Sequence, residues 1–113
     1  MTDAHAAAAI ARVRAWSTRR PDVRGLFLVG SHARGDARPD SDVDLVLVCD
    51  DPAVYVEDDA WTAELDAEVL RTRQWGMLTE RRLRLAGVTP EVDLGVVTPD
   101  WDRSACAPHI RPL

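Results

Sequence analysis

The sequence predicts an α/β domain of the α+β kind, in which about four strands form a small mixed sheet and two longer helices pack on it. Two observations lead to this class. Apolar segments of strand length recur along the chain, at residues 23–29, 45–48 and 92–97. Apolar residues spaced three and four apart predict helices over residues 3–19 and 60–73. With 113 residues, of which 46% are hydrophobic, we expect one domain over residues 1–113 with a modest core.

The first helix and the first strand follow directly from the pattern. The helix over residues 3–19 carries one apolar stripe, made of Ala6, Ala9, Ile10, Val13 and Trp16. Pro21 ends this helix, because proline cannot donate to the helical hydrogen-bond ladder. The strand Val23–Val29 is nearly continuous in apolar character, which places it in the interior of the sheet.

A polar connection from Gly30 to Ser41 leads into a second strand that opens with Asp42 and Asp44. Side chains alternate along a strand, so both carboxylates lie on one face with their Cα atoms about 6.6 Å apart. Two carboxylates at this separation can share a hard divalent cation, which also relieves their mutual repulsion. We therefore predict metal ligands at both positions.

The beginning of the same connection suits a phosphate group. Gly30 has no Cβ and lets a ligand approach the backbone, and Ser31 offers a hydroxyl group. The next residues can begin a helical turn with free backbone N–H groups that bind phosphate, and Arg34 lies one turn further on. We expect His32 to face solvent rather than act as a catalytic base, and Arg38 to be a surface charge rather than a triphosphate contact.

The second half of the chain predicts a helix followed by a hairpin. The core-facing residues of the helix over residues 60–73 are expected to be Trp61, Leu65, Val69 and Leu70. The segment 74–85 alternates as a strand, and Glu91–Val97 is its simplest hairpin partner. Residues 98–113 are expected to be mostly irregular, with Trp101 as their anchor.

Asp93 is a carboxylate inside an otherwise apolar strand. Buried acids are rare unless they are paired or bind a metal. Two interpretations therefore stay open, which are an ion pair with Arg81 or Arg82 across the hairpin and a role as a metal ligand. Glu91, nearer the strand end, is the reserve candidate for the same role.

The composition argues against several classes of protein. The net charge is −5, so the basic footprint of a nucleic-acid-binding protein is missing and we do not expect stable binding to nucleic acid. No segment approaches the roughly 18 to 20 apolar residues that span a membrane. Cys49 and Cys106 follow neither a disulfide nor a zinc pattern, which is typical of cytosolic thiols and predicts a cytoplasmic location.

Gly30-Ser31, followed after ten residues by Asp42-Val43-Asp44, resembles the signature of the polymerase β-like nucleotidyltransferase superfamily. With Ala33-Arg34-Gly35 included, the segment is most similar to the small prokaryotic minimal nucleotidyltransferases. The resemblance implies a nucleotidyltransferase fold whose catalytic carboxylates hold Mg²⁺ or Mn²⁺. By the same resemblance, the carboxylates are Asp42, Asp44 and, on a later strand, Asp93, and the phosphate contacts are Gly30, Ser31 and Arg34.

The resemblance also implies an enzyme that transfers a nucleoside monophosphate, expected to be AMP from ATP, to a hydroxyl group of a partner protein. In the minimal group the partner is a separately encoded HEPN-type protein, and the nucleotidyltransferase is the antitoxin of a toxin–antitoxin pair. Alternatives are a non-catalytic module that masks a partner, and a small-molecule nucleotidyltransferase, which would normally need a second domain. The acceptor, the NTP and the homo- or hetero-oligomeric state are left open.

Overall fold

The computed structural model describes residues 4–106 and 109–113. Its helices are α1 (Ala4–Thr18), α2 (Gly30–Arg34), α3 (Ala53–Val56), α4 (Thr62–Leu65) and a 3₁₀ helix at Arg103–Cys106. Its strands are β1 (Val23–Val29), β2 (Val43–Cys49), β3 (Ala67–Trp75), β4 (Leu78–Leu85), β5 (Val92–Val97) and β6 (Arg111–Pro112). They form one sheet in the order β3-β4-β5-β2-β1-β6. β2 and β5 are parallel and the other neighbours antiparallel, so the predicted α/β class with a mixed sheet is confirmed.

The helices cover one face of the sheet, and the main core lies between them. The predicted first helix is confirmed as α1, and its buried apolar residues are Ala6, Ala9, Val13 and Trp16. Trp16 forms an aromatic cluster with Tyr55 and Trp61, with ring centroids 5.5, 5.7 and 5.9 Å apart. Burial of these large rings fixes α1, α3 and the segment before α4 on the sheet, because aromatic side chains contribute large apolar areas.

The opposite face, which we call the open face, carries a smaller apolar cluster made of Phe27, Val46, Val48 and Val97. Trp101 packs against this cluster, with its ring centroid 6.0 Å from that of Phe27. Regular structure in the described part of the tail amounts to the 3₁₀ helix and the two-residue strand β6, which pairs with β1. The rest of the open face, over β4 and β5, carries charged side chains.

The predicted helix over residues 60–73 is wrong. Only Thr62–Leu65 is helical, because Asp66 takes the left-handed conformation with φ of 53° and ends the helix. The chain then continues as β3, which pairs with β4 along most of its length. This pairing satisfies backbone groups that a helix would satisfy locally, and the β-branched Val69 and Thr72 also favour a strand.

The error in this helix changes the predicted core. Trp61 and Leu65 are buried as expected, but Val69 and Leu70 on β3 are only half-buried. β3 and β6 also raise the number of strands to six, compared with about four expected from the sequence.

The hairpin of the last two long strands is confirmed, with β4 and β5 antiparallel. The strand predicted over residues 74–85 begins later than expected, because Gly76 has φ of 61° and forms a turn between β3 and β4. In the register of the hairpin, Arg82 lies directly opposite Asp93. Within residues 4–106 and 109–113, no helix is long and apolar enough to cross a membrane.

Candidate active site

Two acidic residues lie side by side in the middle of the open face. Asp44 on β2 and Asp93 on β5 are paired positions of the parallel ladder. Both line a cavity of about 210 Å³, whose other lining residues are Val29, Leu45, Val46, Leu78, Glu80 and Gly95. The parallel pairing thus brings together two of the three carboxylates that the sequence predicted.

The environment of these two acids favours protons or cations. Burial raises the pKa of Asp44. A hydrogen bond from Asp93 lowers this pKa in part, and the negative charge of Asp42 raises it. Burial also raises the pKa of Asp93 to about 7, helped by a hydrogen bond to Glu80. The nearby Arg82 opposes this shift without cancelling it. The two carboxyl groups therefore bind a proton more readily than exposed aspartates do, and a metal cation could replace that proton.

Glu80 on β4 is a fourth acid of the site, which sequence reasoning missed. Its carboxylate accepts a hydrogen bond from the indole Nε1 of Trp75 at 2.8 Å and another from Asp93. Although burial alone would raise the pKa of Glu80, these hydrogen bonds lower it. The signal in the sequence is the alternation of β4, which puts Glu80 on the same side as Arg82.

Arg82 connects the acids at this end of the sheet. Its Nη1 donates to both Asp93 carboxylate oxygens at 3.1 Å, its Nη2 donates to Asp42 at 2.6 Å, and its Nε donates to Glu91. The ion pair between Asp93 and Arg82, which the sequence offered as the alternative to a metal-ligand role for Asp93, is thus present. Arg81 lies on the opposite side of β4, where it donates to the carbonyl oxygen of Val56 at 2.7 Å and pairs with Asp59.

The third predicted metal ligand, Asp42, lies just before β2 and is linked to Asp93 through Arg82. In the part of the chain that the structure describes, no three His, Cys, Asp or Glu side chains surround a common ion position. The chemistry of the set nevertheless fits a hard cation, since Asp44 and Asp93 offer adjacent carboxyl oxygens with raised proton affinity.

The predicted phosphate turn begins α2. Gly30 has φ of 70°, and a Cβ at this position would overlap the carboxylate of Asp44. Because glycine has no Cβ, the backbone of the turn can lie directly against the carboxylate of Asp44. The carbonyl oxygen of Ser31 accepts from the backbone N–H of Gly35, which closes the turn at 3.0 Å. The exposed Arg34 side chain pairs with Asp36 at 3.3 Å.

The sequence predicts that two other residues of the connection, Arg38 and His32, lie at the surface. Arg38 is exposed, as predicted, and its backbone N–H donates to the Ser41 hydroxyl at 2.7 Å. The prediction for His32 is wrong, because its side chain is buried, and its Nε2 lies 3.4 Å from the carbonyl oxygen of Ser41. The short helix α2 turns His32 toward Ser41, just before the start of β2.

A comparison with protein families supports the same class of protein. The family model described as the nucleotidyltransferase domain matches residues 13–89, which is more than half of the chain. The chain therefore belongs to the nucleotidyltransferase domain family. The matched residues include the Gly30 turn, Asp42, Asp44 and the hairpin strand β4, whereas Asp93 lies beyond them. No curated protein matches the sequence significantly.

Solved structures share the fold at low sequence identity. Cid1, described with RNA terminal uridylyl transferase activity, superposes with a TM-score of 0.60 and 18% identity over 84% of this chain and 31% of its own. A cytoplasmic RNA terminal U-transferase gives 0.58 and 22% over 85% and 31%. A Sulfolobus solfataricus protein assigned to the nucleotidyltransferases gives 0.50 and 16% over 98% and 87%. The chain thus spans about a third of the length of the first two structures.

Proposed function

We propose that the protein is a metal-dependent nucleotidyltransferase that moves AMP from ATP to a hydroxyl group of a partner protein. The family and the fold support nucleotidyl transfer as the general activity. The observation that carries the proposal is the contact between the Gly30 turn and Asp44, with Asp93 beside it on the next strand. A phosphate held by this turn would lie directly against the two carboxylates.

The residues of the site have distinct roles in this proposal. The backbone at Gly30 and Ser31 would hold the β- and γ-phosphates, with Arg34 released from Asp36 to contact them. Asp42, Asp44 and Asp93 would hold Mg²⁺ or Mn²⁺, which when bound neutralises the triphosphate and polarises the α-phosphate. Asp93 would also accept the proton of the acceptor hydroxyl. The acceptor oxygen bonds to the α-phosphorus as pyrophosphate leaves.

The acceptor in this proposal is a hydroxyl group of a separately encoded HEPN-type protein, so that the chain would act as the antitoxin of a cytoplasmic toxin–antitoxin pair. This step rests on the resemblance of the Gly30–Asp44 segment to the minimal nucleotidyltransferases. The donor is the other choice to be tested, because two of the structurally similar proteins are uridylyl- or U-transferases. ATP and UTP therefore have to be compared directly.

Intact-protein mass spectrometry tests the proposal. A HEPN-type protein co-expressed with the chain is incubated with the purified chain, Mg²⁺ and either ATP or UTP. We expect the partner to gain the mass of one AMP group with ATP and to remain unchanged with Asp44→Asn or Asp93→Asn. An unchanged partner with the wild-type chain would contradict transfer to this class of acceptor.

A second candidate function is a non-catalytic module that masks a partner. The observation that favours it is the guanidinium group of Arg82, which already pairs with Asp42 and Asp93 without a metal. Under this alternative, complex formation with the partner would survive Asp44→Asn and would need neither Mg²⁺ nor nucleotide.

A further inference from the structure

Arg82 engages the acids of the site in an unusually complete way. All three nitrogens of its guanidinium group donate hydrogen bonds: Nε to Glu91, Nη1 to Asp93 and Nη2 to Asp42. Its side chain is only 21% exposed and that of Asp93 only 17%, so the pair is screened weakly by water. The hydrogen bond to Glu91 and burial act in opposite directions on Arg82, and the net effect raises its pKa, which keeps the group charged.

The contact with Asp93 leaves little room for a second cation. Nη1 lies 3.1 Å from both Asp93 oxygens, so neither oxygen is free of the guanidinium group. A divalent cation on Asp93 would share these oxygens with a positive charge and be repelled by it. Asp42 is in a similar position, because its Oδ2 accepts from Nη2 at 2.6 Å.

We propose that Arg82 is an internal counter-cation that competes with the divalent metal for Asp42 and Asp93 and thereby lowers the metal affinity of the site. This inference rests on the proposed function, because it assigns Asp42 and Asp93 to the metal. When the metal binds, Nη1 and Nη2 leave these two carboxylates. Arg82 is thus a positioning residue that holds the acids together in the metal-free protein.

Glu91 gives the displaced guanidinium group a place to remain. It precedes β5 and accepts from Nε, the nitrogen closest to the side-chain stem, while the two outer nitrogens reach the aspartates. The outer nitrogens can therefore move while the bond from Nε to Glu91 persists. Glu91, which the sequence offered as an alternative metal ligand, thus serves as a hydrogen-bond acceptor for the arginine.

Titration calorimetry with Mn²⁺ and a non-hydrolysable ATP analogue tests this assignment. We expect Arg82→Gln to bind Mn²⁺ about tenfold more tightly than wild type, the size of effect that outer residues of metal sites commonly have. Arg82→Lys keeps the positive charge but cannot donate to Asp42 and Asp93 as a fork, so its affinity for Mn²⁺ should lie between those of wild type and Arg82→Gln. Arg24→Gln is the control, since Arg24 is an exposed arginine on β1 that pairs with Asp50 and with none of the acids of the site.

A double-mutant cycle separates the role of Glu91 from that of a metal ligand. If Glu91 only receives Arg82, Glu91→Gln should weaken Mn²⁺ binding in the wild-type background and have no effect in Arg82→Gln. A loss of Mn²⁺ binding in both backgrounds would make Glu91 a ligand and overturn its assignment.

The Mn²⁺ titrations of the Arg82 variants also have distinct outcomes for the proposed competition between Arg82 and the metal. Equal or weaker Mn²⁺ binding by both Arg82 variants, with wild type binding normally, would overturn the inference and leave the proposed function intact. An absence of Mn²⁺ binding in wild type and in both variants would overturn both the inference about Arg82 and the proposed function. Circular dichroism and thermal melts establish whether each variant is folded. If Arg82→Gln does not fold, the Mn²⁺ affinity of Arg82→Lys tests the inference.

Discussion

Asp44 and Asp93 are neighbours across the parallel strands β2 and β5, and a hydrogen bond joins their carboxyl groups. Two adjacent acids can share such a bond only if a proton lies between them, and burial raises the pKa of both groups. The metal-free site is therefore a place where protonation and cation binding are alternatives. Several measurable properties depend on this relationship.

The first prediction concerns the stability of the metal-free protein. The pKa of Asp93 is about 7 in the fold, compared with about 3.9 for an unfolded aspartate. The folded state therefore binds more protons between these values, and the stability contributed by this group falls as the pH rises from about 4 to about 7. Asp93→Asn removes this loss, so we expect the variant to gain on the order of 2 kcal/mol relative to wild type across this window.

Urea unfolding in the presence of a chelator, at several values of pH, measures this difference. The informative quantity is how the stability difference between wild type and variant changes with pH, because acids outside the group Asp44, Glu80 and Asp93 titrate equally in both proteins. A difference that stayed constant, or that fell as the pH rose, would show that Asp93 is an ordinary ion-paired aspartate.

The second prediction separates backbone strain from contact with the site. Gly30 and Gly35 both have positive φ, 70° and 82°, but a Cβ at Gly35 would meet no atom within 4 Å. Gly35→Ala should therefore cost about 1–2 kcal/mol of left-handed strain alone. Gly30→Ala should cost roughly a further 1–3 kcal/mol, because the new methyl group pushes against Asp44.

Nucleotide binding should follow the same order. Gly35→Ala is expected to bind the ATP analogue as wild type does, whereas Gly30→Ala should lose binding because Asp44 is displaced. Comparable losses of stability and of nucleotide affinity in the two variants would mean that the Gly30 turn has no special relation to the acids.

The third prediction concerns Glu80. Both its charge and its hydrogen bond raise the pKa of Asp93, so Glu80→Gln should lower that pKa by about 1 unit or more. Carboxyl ¹³C chemical shifts of labelled aspartates, followed as a function of pH, report the pKa directly. Glu68→Gln is a suitable control, because Glu68 is exposed on β3 and its nearest cation is Arg84 at 3.9 Å. An unchanged Asp93 titration in Glu80→Gln would remove Glu80 from the site.

Much of this site follows from local sequence. The spacing between Gly30-Ser31 and Asp42-Val43-Asp44 indicates a turn that meets a strand of acids, and the apolar pattern of Val23–Val29 predicts β1 with its observed bounds. Asp93 is conspicuous because a carboxylate in an apolar strand needs a partner. These inferences depend on residues close together in the chain.

The remaining features depend on register between strands. Arg82 reaches Asp93 because the β4–β5 hairpin places them opposite each other, and Glu80 reaches the site through the same pairing. Alternation shows that Glu80 and Arg82 share a side of β4, but the register decides which residues of β5 they face. The strand β3 was mistaken for a helix for a related reason, because its partner β4 stabilises it through non-local hydrogen bonds.

In the proposed function, Asp44, Asp93 and the Gly30 turn form one site for a metal–nucleotide complex. Calorimetry of ATP-analogue binding, with Mg²⁺ or with a chelator, tests it most directly in wild type, Asp44→Asn and the control Asp40→Asn, whose residue is exposed in the connecting loop. We expect wild type and Asp40→Asn to bind the analogue with Mg²⁺ and much more weakly without it, and Asp44→Asn to lose the Mg²⁺-dependent part. Equal binding of the analogue by all three proteins, with or without Mg²⁺, would show that Asp44 does not belong to a metal–nucleotide site.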